Sequence, residues 1–186
     1  MSDFYFKDIF MSNLNDAKSL YKYNMTKEVE SYLTKIYVDD FLVPSERSQN
    51  DSINTLIFLN SLPETSETLK YLKFNGDYYF SIGGYAPEAF CNKKIAFDYF
   101  ISVGRYSYFR LHQRLPKDTL YKTLAYDYMQ LLLIINQVFD SIKTNKNVQI
   151  LSALKAWDDT KHPIFEKKLI RMGMNMVDLT RQGISC

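Results

Sequence analysis

The stretch Lys70–Leu115, KYLKFNGDYYFSIGGYAPEAFCNKKIAFDYFISVGRYSYFRLHQRL, decides the fold. Four of the chain's six glycines fall inside it, among a high density of aromatic side chains, and Pro87 divides it into two segments. Downstream, Phe97, Ile101, Gly104, Tyr108 and Leu111 recur at heptad spacing, with Phe100, Val103 and Ser107 beside that seam. A helix with so much of its circumference apolar belongs at the centre of a molecule, which makes helix 95–115 the central element. Upstream, Tyr78–Ile82 is aromatic and β-branched enough for a strand, and Asn75-Gly76 is a hairpin signal. Against this, Leu69, Leu72, Gly76, Tyr79 or Phe80, and Gly83 keep helical spacing and no clear partner strand precedes the turn. The balance favours one helix crossing Gly76 and stopped by Gly83-Gly84, with a strand as the alternative for 78–82. Glycine inside a helix costs about 1 kcal/mol relative to alanine. Gly76, Gly83 and Gly104 therefore imply a close helix crossing or an aromatic ring laid over bare backbone.

Outward from this stretch the chain reads as helices separated by short breaks. Residues 3–22 carry an apolar stripe through Phe6, Ile9, Phe10, Leu14 and Ala17. Thr26 opens a capping signal, T-K-E-V-E, for a second helix that Pro44 ends. A polar loop, Ser45–Ser52, leads to a short third helix over 53–62, and Glu64–Glu67 starts the helix that crosses Gly76. Pro116 closes the central helix, after which one long helix is expected from 117 or 118 to Ile142. The next starts near Val148 and carries Ile150, Leu151, Leu154 and Trp157 as its apolar positions. A break at His162-Pro163 and a cap at Gly173 follow, with a frayed tail from Thr180. Short connections imply antiparallel neighbours. The expected architecture is an all-α, single-domain bundle of about six or seven helices spanning 1–186.

Composition narrows the function classes. The 186 residues are 46% hydrophobic and 24% charged, ordinary for a globular protein, while Tyr 15 and Phe 13 are high counts beside a single Trp. A net charge of +2 gives no footprint for nucleic acid, and Arg105, Arg110, Arg114 and Lys117 read as a solvated helix face. The first residues lack the basic and apolar regions of a signal peptide, and the apolar run at Leu131–Ile135 is far short of a membrane span. Two cysteines, Cys91 and Cys186, have no metal-ligand spacing, and His112 and His162 are the only histidines. No metal and no cofactor is expected. A reduced, cytoplasmic protein is the simplest reading.

No catalytic motif is present: no nucleophile elbow, P-loop, dinucleotide fingerprint or metal-binding helix pair. The constellation that could form a site is Asp77, Tyr85, Glu88, Asp98, Tyr99, Arg105 and Tyr108. Carboxylates, phenols and one guanidinium could converge on a polar pocket between helices 66–83 and 95–115. The same residues have an architectural reading, because a charge at a mostly apolar position must be paired or hydrogen-bonded. Asp77 would then bond the backbone N–H groups of the Pro87 turn, and Glu88 would pair with Arg105.

The order of Gly76-Asp77, Gly84-Tyr85-Ala86-Pro87-Glu88, Asp98-Tyr99-Phe100 and Gly104 with Ser107-Tyr108 resembles a family of bacterial all-helical proteins with no assigned activity. The likeness extends to Tyr32-Leu33 and to the Trp157–Thr160 helix, and departs at Ala86, where that family has a second aromatic. It implies a bacterial origin and a shared fold. Two functions are open on this sequence. One is a non-enzymatic adaptor or regulator that works by protein–protein contact, including self-association, using surplus aromatics and methionines. The other is a small-molecule binder or enzyme built on the polar constellation. An exposed apolar patch over a filled core would favour the first, and a cavity lined by the seven residues the second.

Overall fold

A computed structural model of the chain describes residues 3–39, 59–63, 65–90, 97–143 and 146–175. Every regular element among them is helical. In chain order these are α1 (Asp3–Leu20), α2 (Lys27–Thr34, continued as a π-helical turn Lys35–Asp39), α3 (Ser66–Tyr85), a 3-10 turn (Pro87–Phe90), α4 (Phe97–Arg114), α5 (Thr119–Tyr126), α6 (Tyr128–Ile142), α7 (Lys146–Thr160) and α8 (Pro163–Arg171). The expected all-α bundle is present. The polar loop, most of the short third helix, residues 91–96 and the tail lie outside the described residues.

Local signals place most of the helix ends. Thr26 caps α2, its Oγ1 accepting from the Val29 N–H at 3.3 Å, and Thr65 does the same for Thr68 at the start of α3. His162 caps α8 through Nδ1, which accepts from the Ile164 N–H at 3.2 Å, with Pro163 in the first helical position. Gly173 closes α8 at φ 91, and the Met174 N–H reaches back to the Leu169 carbonyl at 3.0 Å.

Residues 78–82 are helical, so the strand alternative falls, and α3 does not stop at Gly83-Gly84. Both glycines are buried inside its last turns, and the helix ends at Ala86, before Pro87. The long helix expected up to Ile142 is two helices. Asp127, at φ −95 and ψ 13, separates them with no proline or glycine nearby. The Arg105 Nε–H donates to the Ala125 carbonyl at 3.1 Å, and the Tyr23 hydroxyl donates to Asp127 Oδ2 at 2.6 Å. Arg105 of α4 thus bonds a carbonyl of the interrupted ladder, and Tyr23 of the α1–α2 connection holds the Asp127 side chain at the break. Arg110 and Arg114 are likewise engaged with carbonyls of residues 59–62, not spread on a solvated face.

α4 lies between α3 and α5, the central position expected. α6, which packs on α1 and α3, is buried from Leu131 to Asn136 without interruption. α7 corrects its sequence reading. It buries Gln149, Ala153 and Ala156 while Leu151 is 67% exposed and Val148 59%. Ala153 and Ala156, three apart, allow close approach to α8 and the 3-10 turn, which leaves Leu151 on the outer side with Ile150, Leu154 and Trp157 half-buried.

Candidate functional site

The seven residues singled out from the sequence do not form one site. The structure distributes them over two polar centres and three separate contacts.

The first centre is built on Asp77, in the middle of α3. Its Oδ1 accepts from the Tyr32 hydroxyl at 2.6 Å and from the Tyr108 hydroxyl at 2.8 Å, and its Oδ2 pairs with Lys73 one turn earlier at 2.5 Å. Asp77 therefore ties α2, α3 and α4 together and does not staple the Pro87 turn. Tyr121 of α5 closes the group, edge-on to Tyr32 and stacked on Tyr108. Burial raises the Tyr32 and Tyr108 hydroxyls well above the ordinary tyrosine value, and the Asp77 charge adds to this. These phenols stay protonated and serve as donors.

Glycine makes the arrangement possible at two points. A Cβ on Gly76 would lie 2.6 Å from Tyr108 Cε1, and one on Gly104 would run into the Tyr128 hydroxyl and lie 2.9 Å from Tyr79 Cβ. The aromatic ring over bare backbone inferred from the sequence is Tyr108 across Gly76. With Phe80, Phe100 and Tyr128 fully buried alongside, the α3–α4 interface is occupied by aromatic side chains where a polar pocket was the alternative reading. The Tyr128 hydroxyl has no hydrogen-bond partner in this packing.

The second centre surrounds Lys168 of α8, which is 1% exposed. Its Nζ donates to Glu88 Oε1 at 2.5 Å and lies 3.1 Å from Asp140 Oδ1. Arg171 Nη2 meets the other oxygen of Asp140 at 3.2 Å and donates to Asn136 Oδ1 at 3.2 Å, while its Nη1 donates to the Tyr21 hydroxyl. Glu88 is thus paired with Lys168 and not with Arg105. Tyr85 borders this centre: its carbonyl accepts from Lys143 Nζ at 2.6 Å, and that ammonium lies 4.7 Å from its own ring centroid. Burial lowers the Lys143 pKa below the ordinary lysine value, and the Lys168 charge lowers it further against the opposing pull of Glu88 and Asp140.

The remaining members stand apart. Asp98 is exposed and meets His162 Nε2 at 3.2 Å. Tyr99 packs edge-on against Phe100, and Arg105 serves the end of α5. Sequence reasoning brought Asp77 and Tyr108 together correctly. It missed Lys168, Asp140, Arg171 and Lys143. A signal for them existed: Lys168 lies in phase with Ile164 and Phe165, and Asp140 with Asn136 and Leu132, so each puts a charge on an apolar face.

Beside the Lys168 centre, α6, α7 and α8 leave a cleft of about 260 Å³ bordered by Asp140, Lys143, Lys146, Gln149 and Arg171. A broader and shallower one of about 600 Å³ runs between α1 and α2, bordered by Lys7, Lys27, Glu28, Glu30, Tyr32 and Lys35. No group of three metal-ligating side chains occurs among the described residues, and none of their helices is long and apolar enough to cross a membrane. No family model, curated protein or solved structure matches this chain.

Proposed function

We propose that this protein acts by contact with a protein surface, and that its first partner is a second copy of itself, joined through the outer face of α7. One observation carries this reading. Leu151, with Val148, Ser152 and Lys155 around it, stands on the solvent side of a helix whose inward face is Gln149, Ala153 and Ala156. A large apolar side chain at 67% exposure in the middle of an ordered helix has an energetic reason to be covered. Meanwhile Asp77, Glu88 and Asp98 are all engaged in internal bonds.

The charges on α7 select the orientation. Its C-terminal turn carries Asp158 and Asp159 at the negative end of the helix dipole, where carboxylates are disfavoured, and Lys146 stands in its first turn. Two copies side by side in parallel would repeat this unfavourable arrangement. An antiparallel pair centred near Ser152 sets the acidic end of each helix beside the positive N-terminal end of the other, with the Leu151 side chains between them. Sedimentation velocity tests the reading: a concentration-dependent dimer is expected, reduced to monomer by Leu151→Asp with helicity and melting unchanged. A wild-type chain that sediments as a monomer throughout the micromolar range would overturn it.

A further inference from the structure

We propose that the cleft between α6, α7 and α8 is a binding site for a phosphate group, free or carried on a small phosphomonoester. The inference is independent of the α7 contact and rests on the charges around the cleft. Lys143, Lys146 and Arg171 border it and Lys168 lies behind it, against two carboxylates, Glu88 and Asp140. Those carboxylates are consumed from within: Glu88 by Lys168, and Asp140 by Lys168 and Arg171. Lys143 and Lys146 are left facing the cleft with no carboxylate bound to either among the described residues. The uncompensated charge of two is that of a phosphate dianion.

Lys143 points to an occupant more directly. Its ammonium is half-buried, and its partners are a neutral carbonyl and the face of a phenol ring, both from Tyr85. Burial and the neighbouring Lys168 disfavour its charged form. An anion in the cleft would oppose both effects by attracting the charged form, so anion binding and protonation of Lys143 are linked. The first turn of α7, the positive end of its dipole, borders the same space through Lys146 and Gln149. Gln149 keeps its amide there although the residue is buried, and donates from Nε2 to the Lys143 carbonyl at 3.1 Å. At about 260 Å³ the cleft is smaller than sites for drug-sized ligands and suits a phosphate group with a few attached atoms.

Isothermal titration of the full-length protein with inorganic phosphate and, separately, with glycerol phosphate tests the site. Saturable one-to-one binding is expected for at least one probe, weakened about tenfold by Lys143→Gln and by Lys146→Gln, since each removes one charge-assisted hydrogen bond. Lys122→Gln, on the exposed side of α5, is expected to leave it unchanged. Tighter binding of glycerol phosphate identifies a phosphomonoester as the ligand class, and equal or weaker binding identifies free phosphate. Circular dichroism of each variant confirms folding before titration. Binding of neither probe by the wild type, or equal weakening by Lys122→Gln, would overturn the proposal.

Discussion

Asp77 and Lys168 are both charged side chains on otherwise apolar helix faces, and the fold neutralises them in different ways. Asp77 is enclosed by neutral phenols, with a single lysine at its open side that is 41% exposed. Lys168 is enclosed by two carboxylates, Glu88 and Asp140, and Asp140 is held in turn by Arg171, which also donates to Asn136 and Tyr21. Tyrosine brings apolar area and a donor on one side chain, so the Asp77 centre joins α2, α3, α4 and α5 while remaining part of the hydrophobic core. The Lys168 centre joins the 3-10 turn to α6 and α8 through charge alone, and each ion depends on the others to offset its desolvation. A centre of the first kind tolerates losing a member. A centre of the second kind does not.

The largest expected effect follows from that contrast. Lys168→Met keeps the side-chain volume but leaves Glu88 and Asp140 buried together without their shared cation, at a cost of about 3–5 kcal/mol in chemical denaturation. A smaller loss places Lys168 among ordinary surface ion pairs and removes the distinction between the centres. Asp77→Asn keeps an acceptor for Tyr32 and Tyr108 and loses the charge that strengthens both bonds, for an expected loss of about 1.5–3 kcal/mol. If Asp77→Asn proves as costly as Lys168→Met, the phenols are not the tolerant shell described here.

Two tyrosines of the core sharpen the comparison further. Tyr108→Phe removes a bond to Asp77 and should cost about 1 kcal/mol. Tyr128→Phe removes a hydroxyl with no partner and should leave the midpoint unchanged or raise it. A matching loss at both positions would show that the Tyr128 hydroxyl is bonded in solution.

The smallest expected effect is on pH dependence and arises at neither centre. Burial lowers the His162 pKa from 6.5, against the opposing charge of Asp98, and the rings of Phe97 and Phe165 pack beside the imidazole. Its Nδ1 must be unprotonated to cap α8. The folded chain therefore binds fewer protons at this site than the unfolded one. The stability is present in full above pH 6.5 and is lost as the pH falls from there through the lower folded value. His162→Asn, which can also cap, should flatten that part of the profile of melting temperature against pH. An unaltered slope would assign it to other groups.

The sequence carried the helices well where a residue's local role agrees with its tertiary one. Thr26 and Gly173 cap and Pro163 opens α8 as their types demand, and the apolar phase of 97–111 predicted a buried α4. It failed where a distant side chain decides. Nothing between Asp118 and Ile142 announces the break at Asp127, because Arg105 and Tyr23 sustain it from other elements. Glu88 was flagged for the right reason, a charge in an apolar setting, yet its partner stands 80 positions along the chain. For α7 the rule that large apolar residues face inward failed at Leu151, which faces solvent, while Ala153 and Ala156 take the buried positions and Ile150, Leu154 and Trp157 are half-buried.

That inversion bears on the central claim, a dimer made by antiparallel α7 helices, and disulfide cross-linking tests it most directly. With Cys91 and Cys186 replaced by serine, single cysteines are placed at Asn147, Ser152 or Asp159 and the protein is mildly oxidised. In an antiparallel pair centred near Ser152, position 152 meets its own copy, while positions 147 and 159 stand about 15 Å or more from theirs along the axis. The account predicts a disulfide-linked dimer for Ser152→Cys and none for Asn147→Cys or Asp159→Cys. No dimer at 152, or equal dimer at all three positions, would contradict it.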